Sequence, residues 1–147
     1  MKKFFLAAVV LTVCFVSAFA NSSDRPDPKA EQVFKRQFAG AKNITWSQEE
    51  NGVLKVNFVW SGHGTVVYFN EKAEIVASIR NMFFDQLPMT IIRSVDSKFK
   101  SPVVIEVREI STEEGTKYSL VLEEGVKKFK VNFNSMGEVL AKKRLKK

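Results

Sequence analysis

The chain has 147 residues, a formal net charge of +7 at pH 7, one cysteine (Cys14) and one histidine (His63). This length suits one ordinary domain, or two very small ones that share a core. A single cysteine excludes a disulfide within the chain. One histidine without a cysteine partner cannot build the usual four-ligand structural zinc site, so we predict no metal and no cofactor.

The first 20 residues have the three parts of a secretory signal peptide. Residues 1–3 carry two lysines, residues 4–16 form an almost unbroken apolar run, and residues 17–20 are mostly small. The run is shorter than the ~20 apolar residues that a spanning helix needs, which favours cleavage, predicted after Ala20, over a retained anchor. We therefore predict a periplasmic or secreted protein with no integral membrane segment after cleavage.

A short leader, residues 21–27, is predicted to precede the first structural unit, residues 28–81. Asp27 and Pro28 have the residue types of a helix N-cap and first helical position. Apolar side chains then recur at helical spacing, and from residue 44 they alternate with polar ones, which predicts four antiparallel strands with one buried face. The strand residues predicted to face inward are Ile44, Trp46, Leu54, Val56, Phe58, Trp60, Val67, Phe69, Ile75, Ala77 and Ile79.

The same order of patterns recurs over residues 88–147, where Pro88 opens a second helix. Phe69-Asn70 and Phe133-Asn134 recur at an offset of 64 positions, and Arg80 and Arg144 share that offset. We predict an α+β fold, a tandem repeat of two helix-plus-four-antiparallel-strand units that form one sheet with the helices on one face. The inward-facing strand residues of the second unit are predicted to be Val103, Ile105, Val107, Tyr118, Leu120, Leu122, Phe129, Val131, Phe133, Val139 and Ala141.

Several of these motifs together resemble one known family. The Phe34 and Phe38 helix leading to Asn43-Ile44-Thr45-Trp46, the Phe69-Asn70 turn, Leu87-Pro88 and Tyr118-Ser119-Leu120 resemble the periplasmic β-lactamase-inhibitor-like, PepSY-like proteins. The resemblance covers nearly all of the chain after the signal peptide and implies an exported, non-enzymatic module. The first turn departs from the family in having Ala73 where glycine is usual.

No residue group in the sequence predicts catalysis. His63 lies between two glycines, where it is predicted to be a solvated turn residue. The adjacent carboxylates Glu49-Glu50, Glu113-Glu114 and Glu123-Glu124 lie beside predicted turns and face water, whereas a hydrolytic pair needs two carboxylates held apart in a cleft. We therefore predict that the protein is not an enzyme.

The outward face of the predicted sheet mixes basic, branched and aromatic residues, a combination found at contact sites. The alternative is a solvent-facing sheet whose lysines only discourage edge aggregation. We predict binding of a protein or peptide, one that the basic charge indicates is acidic, and no nucleic acid. A second hypothesis is an envelope sensor or stress protein that binds a small anionic ligand, lipid headgroup or glycan. The predicted partner-binding residues are Lys55, Tyr68, Arg80, Lys128, Lys130, Lys142 and Arg144.

Overall fold

The computed structural model describes residues 26–146, in which eight antiparallel strands form one sheet and two α-helices pack against it. The strands follow one another across the sheet in chain order, so each pairs with its neighbours in sequence. The α+β class with an antiparallel sheet is confirmed. The predicted signal peptide, its cleavage site and most of the predicted leader lie outside the described residues.

The first helix and the four strands after it are α1 (Pro28–Gln37), β1 (Lys42–Gln48), β2 (Leu54–Trp60), β3 (His63–Phe69) and β4 (Ile75–Asn81). They are followed by α2 (Met89–Lys98), β5 (Val103–Thr112), β6 (Gly115–Glu124), β7 (Lys127–Asn134) and β8 (Val139–Leu145). Short 3-10 turns precede β2 (Glu50–Gly52) and α2 (Phe84–Gln86).

Both helices cover the same face of the sheet. Thr65 on β3 pairs with Arg80, Arg80 pairs with Glu109, and Glu109 pairs with Tyr118 on β6. Residues directly opposite each other in an antiparallel sheet point to the same side. Because Thr65 shares the face of the α1 core and Tyr118 belongs to the α2 core, these four residues define one helix-side face. The opposite side is called the outer face below.

The first core lies under α1. The Asp27 carboxylate accepts a hydrogen bond from the Lys29 backbone N–H at 2.7 Å and so caps the helix, with Pro28 at its first position. Phe34 is buried and meets Phe58 edge-on, with ring centroids 4.8 Å apart. Trp46 also packs edge-on against Phe34, so three aromatic rings fix α1 on the first four strands.

The second core lies under α2 and combines aliphatic and aromatic side chains. Ile91 and Val95 of α2 are buried against Leu120, Leu122 and Val131 of the sheet. Together with Phe133, these residues form a cluster separate from the one under α1. The sheet therefore carries two cores side by side on one face.

The turns before β4 and β8 are built in the same way around an asparagine. The Asn70 side-chain oxygen accepts hydrogen bonds from the backbone N–H groups of Lys72 and Glu74, both at 3.0 Å. Its amide donates to the Glu74 carboxylate at 2.8 Å. Asn134 makes the corresponding three bonds within its own turn, to Met136 and Glu138. An asparagine side chain that replaces backbone partners in this way fixes the turn locally.

The two turns differ at the residue with positive φ. Gly137 has φ +84°, and a Cβ built on it would lie 2.5 Å from the Thr90 carbonyl oxygen of α2. Ala73 has φ +62°, is almost fully buried, and packs in the core under α1. The turn before β8 packs closely against α2, and the Ser94 hydroxyl donates to the Gly137 carbonyl at 2.6 Å. Only glycine therefore fits at position 137.

Substituting each of these two residues by the one found in the other turn is predicted to change the free energy of unfolding by different amounts. Gly137→Ala adds left-handed backbone strain and a clash with Thr90, and should lower the free energy of unfolding by about 3 kcal/mol. Ala73→Gly relieves strain but loses a buried methyl group, and should change it by about 1 kcal/mol or less. Urea unfolding of both variants measures this difference. Equal destabilisation by the two substitutions would contradict the described contact between α2 and the turn.

A bulge follows each asparagine turn. Phe69 pairs with Ile75 but Tyr68 pairs with Ala77, so Val76 is an extra residue in β4. Phe133 likewise pairs with Val139 and Asn132 with Ala141, which makes Leu140 the extra residue in β8. A bulge of one residue reverses which side chains of the strand face each side from that point onward.

The prediction that Ala77, Ile79 and Ala141 face the helices is therefore wrong. Each of them lies opposite an outer-face residue of the preceding strand. A third bulge in β5 leaves Ile105 unpaired between Val104 and Glu106, and Val104 packs on the α2 core in place of Val103 and Ile105. Unbroken alternation fails in these three strands for the same geometric reason.

Candidate binding surface on the outer face

An apolar row crosses the middle of the outer face. Val66 on β3 lies opposite Ile79 on β4, and Ile79 lies opposite Ile110 on β5. All three side chains are half-buried although neither of the two described α-helices covers this side. This set of three residues is called the central row.

Tyr68 lies two residues after Val66 on β3, directly opposite Lys55 on β2. Asn57 on β2 lies directly opposite Val66, and Arg108 lies two residues before Ile110 on β5. Together with Val66 and Ile79 these residues line a shallow depression of about 380 Å³. Gly64 at its edge has no side chain, and a Cβ there would come within 3.1 Å of the Asn81 amide nitrogen, so a larger residue would crowd the depression.

The cations around the depression are paired with carboxylates of the chain itself. Lys55 Nζ lies 3.1 Å from Glu49 Oε1, and the hydrogen bond and charge of Glu49, with a smaller contribution from Tyr68, raise the pKa of Lys55. Arg108 pairs with Glu106 two positions earlier on the same strand. Both pairs are largely accessible to solvent, where such pairs contribute little stability, so their side chains can exchange partners at low cost.

The structure divides the seven predicted binding residues between the two faces. Lys55, Tyr68, Lys128 and Lys130 lie on the outer face, since Lys128 pairs with Glu123, and Lys130 pairs with Val121 and Lys143. They do not form one cluster, because Lys55 and Tyr68 lie in the first half of the sheet and the two lysines of β7 in the second.

The prediction that Arg80, Lys142 and Arg144 face outward is wrong. Arg80 and Lys142 follow the bulges of β4 and β8 and lie opposite the inward-facing Thr65 and Val131. Lys142 Nζ lies 4.4 Å from the ring centroids of both Phe99 and Phe129, a cation–π arrangement on the helix side. Arg144 lies opposite Phe129, on the same side.

The residues that take their place are Ile79 and Ile110 in the centre, Arg108 and Lys117 beside them, and Lys143 on β8. A signal for two of them, Ile79 and Lys143, exists in the sequence. Their strands, β4 and β8, each begin with two adjacent apolar residues, and strict alternation cannot place both inward.

A polar group separates the two cores on the helix side. Arg80 Nη2 lies 3.0 Å from Glu109 Oε1, and the side chains are partly buried. Arg80 Nε is buried and has no hydrogen-bond partner among the described residues. Burial raises the pKa of the neighbouring Tyr118, Glu109 raises it further, and Arg80 opposes the shift. This ion pair lies on β4 and β5, between the two cores of the helix-side face.

The raised pKa of Tyr118 predicts a loss of stability in alkali. A tyrosine whose pKa is higher in the folded state than in the unfolded state stabilises the fold below its unfolded pKa of about 10, and this contribution disappears as the pH rises through the folded pKa. Wild type should therefore lose more stability than Tyr118→Phe between pH 9 and about pH 11. Urea unfolding of both proteins across this range provides the comparison. Parallel pH curves would contradict the shift.

His63 was predicted to lie in a turn, but it is the first residue of β3. Its ring is half-buried and meets the exposed Phe83 ring at a centroid distance of 5.7 Å.

Within residues 26–146 no group of three potential metal-ligating side chains comes together. In the same part of the chain, no helix has the length and apolar character needed to cross a bilayer.

Comparison with solved structures finds the same fold in several proteins of Bacteroides species. A BLIP-like protein from Bacteroides fragilis superposes with a TM-score of 0.69 at 21% identity, over 82% of this chain and 86% of that chain. The chain has the fold of these proteins. A DUF2874 family protein from Bacteroides uniformis gives a TM-score of 0.70 at 17% identity, over 81% of this chain and 89% of that one.

A Bacteroides eggerthii protein, described by inference as periplasmic, gives a TM-score of 0.70 at 23% identity, over 80% of this chain and 88% of that one. Neither a protein-family model nor a curated protein matches the sequence. The resemblance to the β-lactamase-inhibitor-like proteins is thus confirmed at the level of the fold.

Proposed function

We propose that the protein is an exported, non-enzymatic module that binds a protein or peptide through the outer face of its sheet. The observation that carries this proposal is the central row, three branched apolar side chains in the middle of a face that neither described α-helix covers. Surfaces with an apolar centre, an aromatic residue such as Tyr68 and a polar rim are typical of protein contacts.

The extent of the surface favours a macromolecular partner. Outer-face cations and amides extend from Lys55 on β2 to Lys143 on β8, and strands lie about 4.8 Å apart, so the surface is roughly 30 Å wide. That width suits an interface of ordinary size, of about 800 Å² on each partner. Lys128, Lys130 and Lys143 on this face form no ion pair within residues 26–146, and they favour an acidic partner by steering its approach.

A small anionic ligand is the second candidate. The depression beside Tyr68 has a volume of about 380 Å³, within the range of small-molecule sites, and Lys55 and Arg108 lie at its rim. Such a ligand would engage only this depression and would leave the β7 and β8 lysines without a role. The protein-binding proposal uses both parts of the outer face.

Two further parts of the proposal concern origin and location. The asparagine turns and the bulges at Val76 and Leu140, each 64 positions apart, support the view that residues 28–81 and 88–147 are copies of one unit. The basic and apolar N-terminal sequence, together with the periplasmic location inferred for a protein of the same fold, supports export.

The test is affinity capture from cell-envelope extract with wild type and two double variants. Tyr68→Ser with Ile79→Ser removes apolar contacts from the outer face. Met89→Ser with Met136→Ser removes two exposed apolar side chains outside that face and serves as the matched control. The proposal predicts a discrete partner retained by wild type and by the control variant, and reduced about tenfold or more by loss of the two outer-face contacts.

Two outcomes would contradict the proposal. Equal capture by all three proteins would exclude the central row as the contact. Saturable binding of a small organic anion that is abolished by Lys55→Glu, without any captured protein, would favour the second candidate.

A further inference from the structure

The two ends of the sheet differ in charge. In an antiparallel sheet whose strands follow chain order, the turns joining β1–β2, β3–β4, β5–β6 and β7–β8 all lie at one end. This end is called the acidic end. Its turns carry the carboxylates Glu49, Glu50, Glu71, Glu74, Glu113, Glu114 and Glu138.

The opposite end of the second half is rich in cations. The β6–β7 turn, the end of β8 and the end of α2 meet there, since the Lys100 backbone N–H donates to the Glu124 carboxylate at 2.6 Å. Arg144 and Lys146 line one shallow cavity together with Val126 of the β6–β7 turn. This basic end comprises Lys98, Lys100, Lys127, Lys128, Arg144 and Lys146.

Among the described residues, the basic end carries more cations than carboxylates, although Lys127 and Lys128 lie directly opposite Glu124 and Glu123. None of the five ion pairs among residues 26–146 includes any of the six. The same segments contain three carboxylates, Asp96, Glu123 and Glu124, so positive charge is in excess. Mutual repulsion among such cations destabilises the isolated fold slightly and is relieved by an anionic surface.

An apolar side chain projects from the centre of this charge. Val126 follows Gly125 at the tip of the β6–β7 turn, and 77% of it is exposed. An acidic protein could neutralise the lysines, but an exposed valine at the tip of a turn, followed by Lys127 and lying beside Arg144 and Lys146, is better suited to a lipid interface. There the apolar tip enters the boundary between headgroups and acyl chains while the cations contact the headgroups.

We propose that the basic end binds the surface of an anionic lipid bilayer. In this orientation the strands stand on the bilayer, the acidic end points away from it, and the outer face remains open at the side. The inference does not depend on the partner proposed for the outer face, because the central row lies elsewhere on the sheet. Binding is peripheral and reversible, since it rests on electrostatic contacts and one small apolar side chain.

Vesicle sedimentation tests the proposal, with protein purified in the form that the cell produces after processing. Phosphatidylglycerol-containing vesicles are compared with neutral phosphatidylcholine vesicles at low salt, and the difference between them is the readout. Lys127→Glu with Lys146→Glu reverses two charges at the basic end. Lys29→Glu with Lys72→Glu makes the same change in net charge on α1 and in the β3–β4 turn, and is the matched control.

The expected result is salt-sensitive partitioning of wild type onto the anionic vesicles only. It should fall on the order of tenfold or more in the basic-end variant and by about threefold or less in the control, with circular dichroism unchanged in both. No preference of wild type for anionic vesicles would overturn the proposal, as would equal losses in both variants. If soluble polyglutamate binds the protein as well as anionic vesicles of the same total charge do, the partner is an acidic polypeptide and not a bilayer.

Discussion

The faces on which β4 and β8 place their side chains depend on a local constraint, the asparagine turn and bulge at the start of each strand. Asn70 and Asn134 bind their own turn backbones, and the second residue of the strand that follows each turn, Val76 or Leu140, is the extra residue of a bulge. Because strand side chains alternate, this single extra residue sends all later side chains of the strand to the other face. Ile79 joins the outer face and Arg80 the helix-side face as a direct consequence.

This constraint also determines how the middle of the helix-side face is filled. If β4 continued its first alternation, Ala77 and Ile79 would lie in the space between α1 and α2, where neither helix could cover them. The bulge places the Arg80–Glu109 pair there instead, and a partly exposed ion pair tolerates water that an isoleucine would not. On β8 the same displacement lets Lys142 contact the Phe99 and Phe129 rings at the edge of the second core.

The sequence was sufficient to predict the helices, the eight strands and most of the core, since Phe34, Phe58, Val67, Leu120 and Phe133 recur at the spacing that each element requires. It was not sufficient for the binding surface. Val76 and Leu140 are apolar residues that each fit an alternating strand, so strict alternation places Arg80, Lys142 and Arg144 on the wrong face. It places Ile79 inward for the same reason, whereas Arg108 and Ile110 follow Val107 in regular alternation.

Cross-strand disulfides in a Cys14→Ser background test directly whether the bulge reverses the faces of the last strand. Lys130→Cys with Lys143→Cys should oxidise to an intramolecular disulfide, because these residues lie directly opposite each other. Lys130→Cys with Lys142→Cys should remain reduced, because the two side chains point to opposite faces. A disulfide at 130–142 and none at 130–143 would show that β8 pairs without the bulge.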